Sequence, residues 1–75
     1  MIKELDSVVL AVDLPPHRLK AGDVGTIVHV HAGGKGYEVE FVALDGETVA
    51  VVTLTAAELR PVGRREISHA RPLPA

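Results

Sequence analysis

Apolar and polar positions alternate most plainly in Tyr37-Glu38-Val39-Glu40-Phe41-Val42-Ala43. A period of two places successive side chains on opposite faces, so Tyr37, Val39, Phe41 and Ala43 are expected to face a core and Glu38 and Glu40 water. That is the pattern of an antiparallel strand with one solvated face. Residues 24–31 read as a second strand, with Val24, Thr26, Val28 and Val30 on one face and Gly25, Ile27, His29 and His31 on the other. Gly25 inside it marks a bulge or a close backbone approach. Ser7-Val8-Val9-Leu10-Ala11-Val12 is a short β-branched run, read as a strand buried on much of both faces. Residues 48–54 form a further strand, with Val49 and Val51 on one face and Ala50, Val52 and Leu54 on the other.

The connections carry their own chemistry. Leu14-Pro15-Pro16-His17 ends the first strand, because two prolines cannot donate to a ladder and bias their predecessors away from helix. Residues 13–23 are then a surface loop closing in the turn pair Gly22-Asp23. Gly33, Gly34 and Gly36 make a flexible connection, and Asp45-Gly46 between two alternating runs is a strong hairpin signal. Thr55-Ala56-Ala57-Glu58 has the capping-box form, but only one turn fits before Arg60-Pro61, so a 3₁₀ turn is expected. Leu59 and Val62 would pack back on the sheet, with residues 60–62 as a fifth, edge strand that tolerates Pro61. The result is an all-β fold, a small SH3-like barrel of about five antiparallel strands with a short 3₁₀ turn before the last strand. Residues 1–62 form the barrel. Residues 63–75 show no period and read as a flexible basic tail, disordered or loosely docked.

Composition narrows the functions available. With 75 residues, one domain is the ceiling, and little structure is left over to house a deep active site. Cysteine is absent, which removes disulfides, thiol nucleophiles and cysteine-based zinc sites. Tyr37 and Phe41 are the whole aromatic complement, too few for a base-stacking surface. No apolar run is long enough to span a bilayer, and residues 2–6 lack the apolar stretch of a secretory signal, so a cytoplasmic location is expected. The net charge is −2, unevenly spread. In residues 1–62 nine carboxylates outnumber five basic groups, whereas the tail holds Arg64, Arg65 and Arg71 against Glu66. An acidic body repels phosphate backbones, so nucleic-acid contact would have to use the tail.

Residues 19–28, Leu-Lys-Ala-Gly-Asp-Val-Gly-Thr-Ile-Val, carry the Gly-Asp-x-Gly-Thr form that opens many SH3-like barrels, KOW-type modules and the β-subunit barrel of nitrile hydratases among them. Three further features belong together: Ile-Lys-Glu-Leu-Asp at residues 2–6, Leu-Pro-x-His-x-Leu-Lys-x-Gly-Asp-x-Gly at residues 14–25, and Tyr-Glu-Val-Glu-Phe at residues 37–41. In these the chain resembles short bacterial proteins catalogued as domain of unknown function 4926. The resemblance covers residues 1–62, implies the barrel fold and brings no catalytic residues with it.

Candidate sites follow from the residue types. His29 and His31, two apart on one strand, are half of a possible metal site, but nothing in the sequence places a third ligand, and neither metal nor cofactor is assigned. Glu38 and Glu40, about 7 Å apart on an open strand face, suit solvation better than acid–base chemistry. Gly33-Gly34-x-Gly36 is not a phosphate loop, and no catalytic triad motif is present. The loop residues Leu14, Pro15, Pro16, His17, Arg18 and Leu19 mix apolar surface with one cation, as a protein-binding rim does. In the alternative, Leu14 and Leu19 only cover an open barrel end. Arg64, Arg65 and Arg71 are the candidate nucleic-acid contacts. The expectation is a non-catalytic protein-binding module, antitoxin-, immunity- or accessory-subunit-like, acting on a protein partner as a monomer or homodimer without membrane contact. Alternatives are a KOW-like RNA- or ribosome-associated module and a nitrile-hydratase-like accessory or metal-handling protein.

Overall fold

The computed structural model describes residues 2–74. Its five strands are β1 (Ser7–Leu10), β2 (Val24–Val30), β3 (Tyr37–Val42), β4 (Thr48–Leu54) and β5 (Leu59–Pro61). All pair antiparallel in a single sheet of order β4-β3-β2-β1-β5. Single 3₁₀ turns lie at Pro15–His17, Ala32–Gly34 and Ala56–Glu58, the last immediately before β5. Among the described residues no helix is long and apolar enough to cross a membrane.

The two edge strands are joined by residues 55–58 alone. In a flat sheet they would lie four strand spacings apart, about 19 Å, with most of the length of β2 between their joined ends besides. Five residue steps reach about 17 Å fully extended, and less through a 3₁₀ turn. The sheet must therefore coil on itself, and one core results. Val8, Leu10, Ile27, Val39, Phe41, Val52, Leu54 and Leu59 are buried in the same cluster, so every strand contributes to it. Glu58 Oε1 accepts the Thr55 N–H at 2.9 Å, completing the capping box that holds this connection. Pro61 lies on an edge strand, as its missing N–H requires.

Two glycines have stated work. Gly46 (φ +97°) shapes the five-residue β3–β4 loop, in which its N–H donates to Ala43 O at 2.8 Å and Ala43 N–H to Glu47 O at 2.8 Å. Gly25 is a close approach rather than a bulge: a Cβ there would lie 2.6 Å from Val39 Cγ1, 2.9 Å from Phe41 Cε1 and 3.0 Å from Glu40 O.

The bulge comes later in β2 and corrects the expected faces. Ile27 pairs with Val39 and His29 with Glu38, so Val28 is an extra residue. One added residue reverses the alternation. Val28 is exposed, Val30 packs against the core with Ile27, and His29 joins the solvent face. A second irregularity at Val49, between the pairs Phe41–Ala50 and Val42–Thr48, leaves Val49 and Ala50 both half-buried. Val62, expected on the core, is 46% exposed, because β5 ends at Pro61. Residues 62–74 carry neither strand nor helix.

Gly25→Ala is expected to lower stability by about 1–3 kcal/mol, because the nearest atoms belong to two buried side chains and a partner strand's backbone. Urea unfolding of the two proteins measures this, with an unchanged midpoint as the contrary result.

Candidate functional site

Alternating strand directions bring the β1–β2 loop and the β3–β4 loop out at the same end of the sheet. Between them lies a groove of about 490 Å³. Phe41 and Val49 contribute to its apolar wall, Leu19 and Asp23 come from the first loop, and Leu44 from the hairpin. A second recess of about 370 Å³ adjoins it, lined by Pro16, His17, Arg18 and Thr48. Leu73 lines both.

The loop is shaped by its own bonds. Leu14 and Leu19 exchange backbone hydrogen bonds of 2.9 and 3.2 Å across the 3₁₀ turn Pro15–His17. Arg18 closes that turn in the left-handed region (φ 59°). Leu19 is buried and Leu14 packs against the core, so the apolar pair covers the end of the sheet. Pro15, Pro16, His17 and Arg18 are exposed. The six-residue rim read from the sequence thus divides into two residues that cover the core and four that face outward.

Asp23 was not among the candidates, and its side chain takes part in three hydrogen bonds at the groove. Its carboxylate accepts the Lys20 N–H at 2.8 Å, closing the turn that leads into β2. It also accepts both Nε (2.9 Å) and Nη2 of Arg71, 48 residues away. The two side chains are only 27% and 18% exposed, for Arg71 and Asp23 respectively. Partial burial by itself would raise the Asp23 pKa; the bonds from Arg71 and from the Lys20 N–H outweigh it and hold the carboxyl below its ordinary value. Arg71 Nη2 donates to Arg18 O at 3.2 Å, and Arg18 Nη1 donates to Pro74 O at 3.2 Å. Nearer β5, Glu66 accepts from Arg60 at 2.8 and 2.6 Å and from the Gly63 N–H at 2.5 Å. These bonds lower the Glu66 pKa to about 2, the Arg60 bond contributing most. The segment read as a flexible basic tail therefore meets the body at two charged points. Of the three candidate nucleic-acid arginines, Arg71 is ion-paired, while Arg64 and Arg65 are exposed.

The histidine pair lies at the opposite end. His31 Nε2–H donates to Glu38 Oε2 at 2.7 Å, and Thr53 Oγ1 donates to both Glu38 oxygens at 2.9 and 2.7 Å. The His31 bond, then the Thr53 bond, holds Glu38 below the usual carboxylate range. The His29 and His31 rings meet edge to face with centroids 5.0 Å apart, and His29 Nδ1 is 3.7 Å from Glu4 Oε2. Glu40 accepts from Thr48 Oγ1 at 2.8 Å. Among the described residues no group of three or more His, Cys, Asp or Glu side chains is arranged to hold a metal ion.

Residues 4–61 match the family described as Domain of unknown function (DUF4926). The chain belongs to this family. The match ends at the last residue of β5, so it takes in all five strands and leaves out the segment that crosses the groove. No curated protein and no solved structure gave a significant match to the chain.

A lowered carboxyl pKa means the interaction is complete above the ordinary carboxylate value, about 3.9 for Asp, and is lost as pH falls through the lowered one. Contact between residues 71–74 and the groove is therefore expected to be intact at neutral pH and to break only below about pH 4. Amide chemical shifts of residues 70, 71 and 73 followed from pH 7 to pH 2 report it, and Arg71→Ala should abolish the transition. A transition that persists in Arg71→Ala would show that the Arg71–Asp23 contact is not its cause.

Proposed function

We propose that this protein is a non-catalytic binding module that docks a partner protein through the groove between the β1–β2 loop and the β3–β4 loop. The observation that carries this reading is the groove's make-up. It combines an apolar wall with the carboxylates of Asp23, Asp45 and Glu47, the guanidinium of Arg18 and the exposed Pro16. Apolar area supplies the affinity in such a surface, and a few fixed polar groups supply register. The Asp23 carboxylate is held by the Lys20 N–H and the Arg18 backbone by the 3₁₀ turn, which reduces the ordering cost of binding. A role as an antitoxin, an immunity protein or an accessory subunit, and a cytoplasmic setting, belong to this same reading.

An RNA-binding role draws less support. It would rest on Arg64 and Arg65, since Arg71 is engaged by Asp23, and phosphate recognition draws its strength from several cations acting together.

The experiment is affinity purification of the tagged full chain from its native host, with and without nuclease, beside Arg18→Asn. Asparagine tolerates the left-handed conformation at this position, and the change removes the cation together with its bond to Pro74 O. One stoichiometric protein that survives nuclease and falls at least tenfold with Arg18→Asn is expected, a change of about 1.4 kcal/mol. Recovery of RNA alone, or of no protein that responds to Arg18→Asn, would overturn the reading.

A further inference from the structure

Rested on the groove reading above, the inference concerns what the groove recognises. In the stretch Arg71-Pro72-Leu73-Pro74 of the chain's own C-terminal segment, Arg71, Leu73 and Pro74 already line it. The Arg71 guanidinium meets three acceptors at one end, both Asp23 oxygens and the Arg18 carbonyl. Leu73 stands at the junction of the two recesses. The Pro74 carbonyl accepts from Arg18 beyond it. A partly buried, forked arginine–carboxylate contact is directional and selects arginine over lysine. Prolines 72 and 74 hold the segment extended, so little chain entropy is lost on seating it. Asp23 is fixed beforehand by the Lys20 N–H, which makes the acceptor part of the loop rather than a product of the contact.

The resident segment does not fill the site. About 490 Å³ remains open beside it, and Leu73 is still 41% exposed. A segment from another chain that made the same charged contacts and buried more apolar surface could displace it. We propose that the groove at Asp23 is a binding site for an extended, proline-flanked Arg-x-Leu segment, and that residues 71–74 occupy it in cis as a resident ligand that a partner segment of the same chemistry must displace. The segment leaves β5 ten residues before Arg71, a short tether that gives it a millimolar effective concentration at the groove. Cis occupancy therefore sets a threshold that the partner's affinity must exceed.

The test is a fluorescence-anisotropy titration of a labelled synthetic peptide of residues 68–75 against the full chain and its variants. Wild type should bind weakly, because the tethered copy competes. Arg71→Ala, which unseats the resident segment and leaves Asp23 available, should bind the peptide at least tenfold more tightly than wild type. Leu73→Asp unseats it by a different route and should do the same. Adding Asp23→Asn to either variant should remove the gain, as should replacing the peptide's arginine by alanine. Arg71 and Leu73 lie outside the core cluster, and amide spectra of each variant verify the fold.

Equal affinity of wild type and both unseated variants would overturn the proposal, and so would a gain that survives Asp23→Asn. A dimer in sedimentation that Arg71→Ala dissolves would put the occupant in a second copy and overturn the cis assignment. Peptide binding as predicted, with no host protein responding to Arg18→Asn, would uphold the inference and sink the docking function. A host partner that depends on Arg18, with no gain in the unseated variants, would do the reverse.

Discussion

Four residues between the last two strands are what the rest of the molecule depends on. Because residues 55–58 must join opposite edges of a five-stranded sheet, the sheet has to coil, and a chain of 75 residues obtains one enclosed core without a second layer. The closeness of packing at Gly25 follows from that coil. Where β2 runs beside β3, the Gly25 backbone lies so near Val39, Phe41 and Glu40 that a Cβ would collide with them. The capping box of Thr55 and Glu58 gains its importance from the same place, since it shapes the shortest link in the fold.

The groove is a by-product of strand direction. Antiparallel neighbours bring out the β1–β2 and β3–β4 loops together, and the β2–β3 connection, with His31, at the other end. Asp23 sits where this geometry matters most. One carboxylate closes the turn into β2 and receives a guanidinium from the far end of the chain. Loop conformation and recognition of an arginine are thus coupled through a single side chain.

Charge complementarity works inside the molecule as well as at its surface. The carboxylates of the body and the arginines of the C-terminal segment suggest separate regions when summed along the sequence. In space one arginine of the segment and its single acid are both matched, Arg71 by Asp23 and Glu66 by Arg60. The remaining pair, Arg64 and Arg65, stays exposed.

What could be read from the residues alone was local. The alternation in β3, the hairpin at Asp45-Gly46, the capping box and the unusual position of Gly25 all express short-range rules: a side-chain period of two, a positive φ, an amide within reach of its own turn. Tertiary structure decided the rest. The bulge at Val28 sent His29 and Val30 to faces opposite to those that strict alternation assigns, because pairing with β3, and not β2 itself, determines where the extra residue is absorbed. Leu14 and Leu19 look like any loop leucines until the end of the sheet is there for them to cover. Asp23 looks like an ordinary turn aspartate until the coil of the sheet and the course of the C-terminal segment bring Arg71 across 48 residues to meet it. Local pattern determines which elements form; contacts between residues distant in sequence exist only once the sheet has closed, so no short-range rule could contain them.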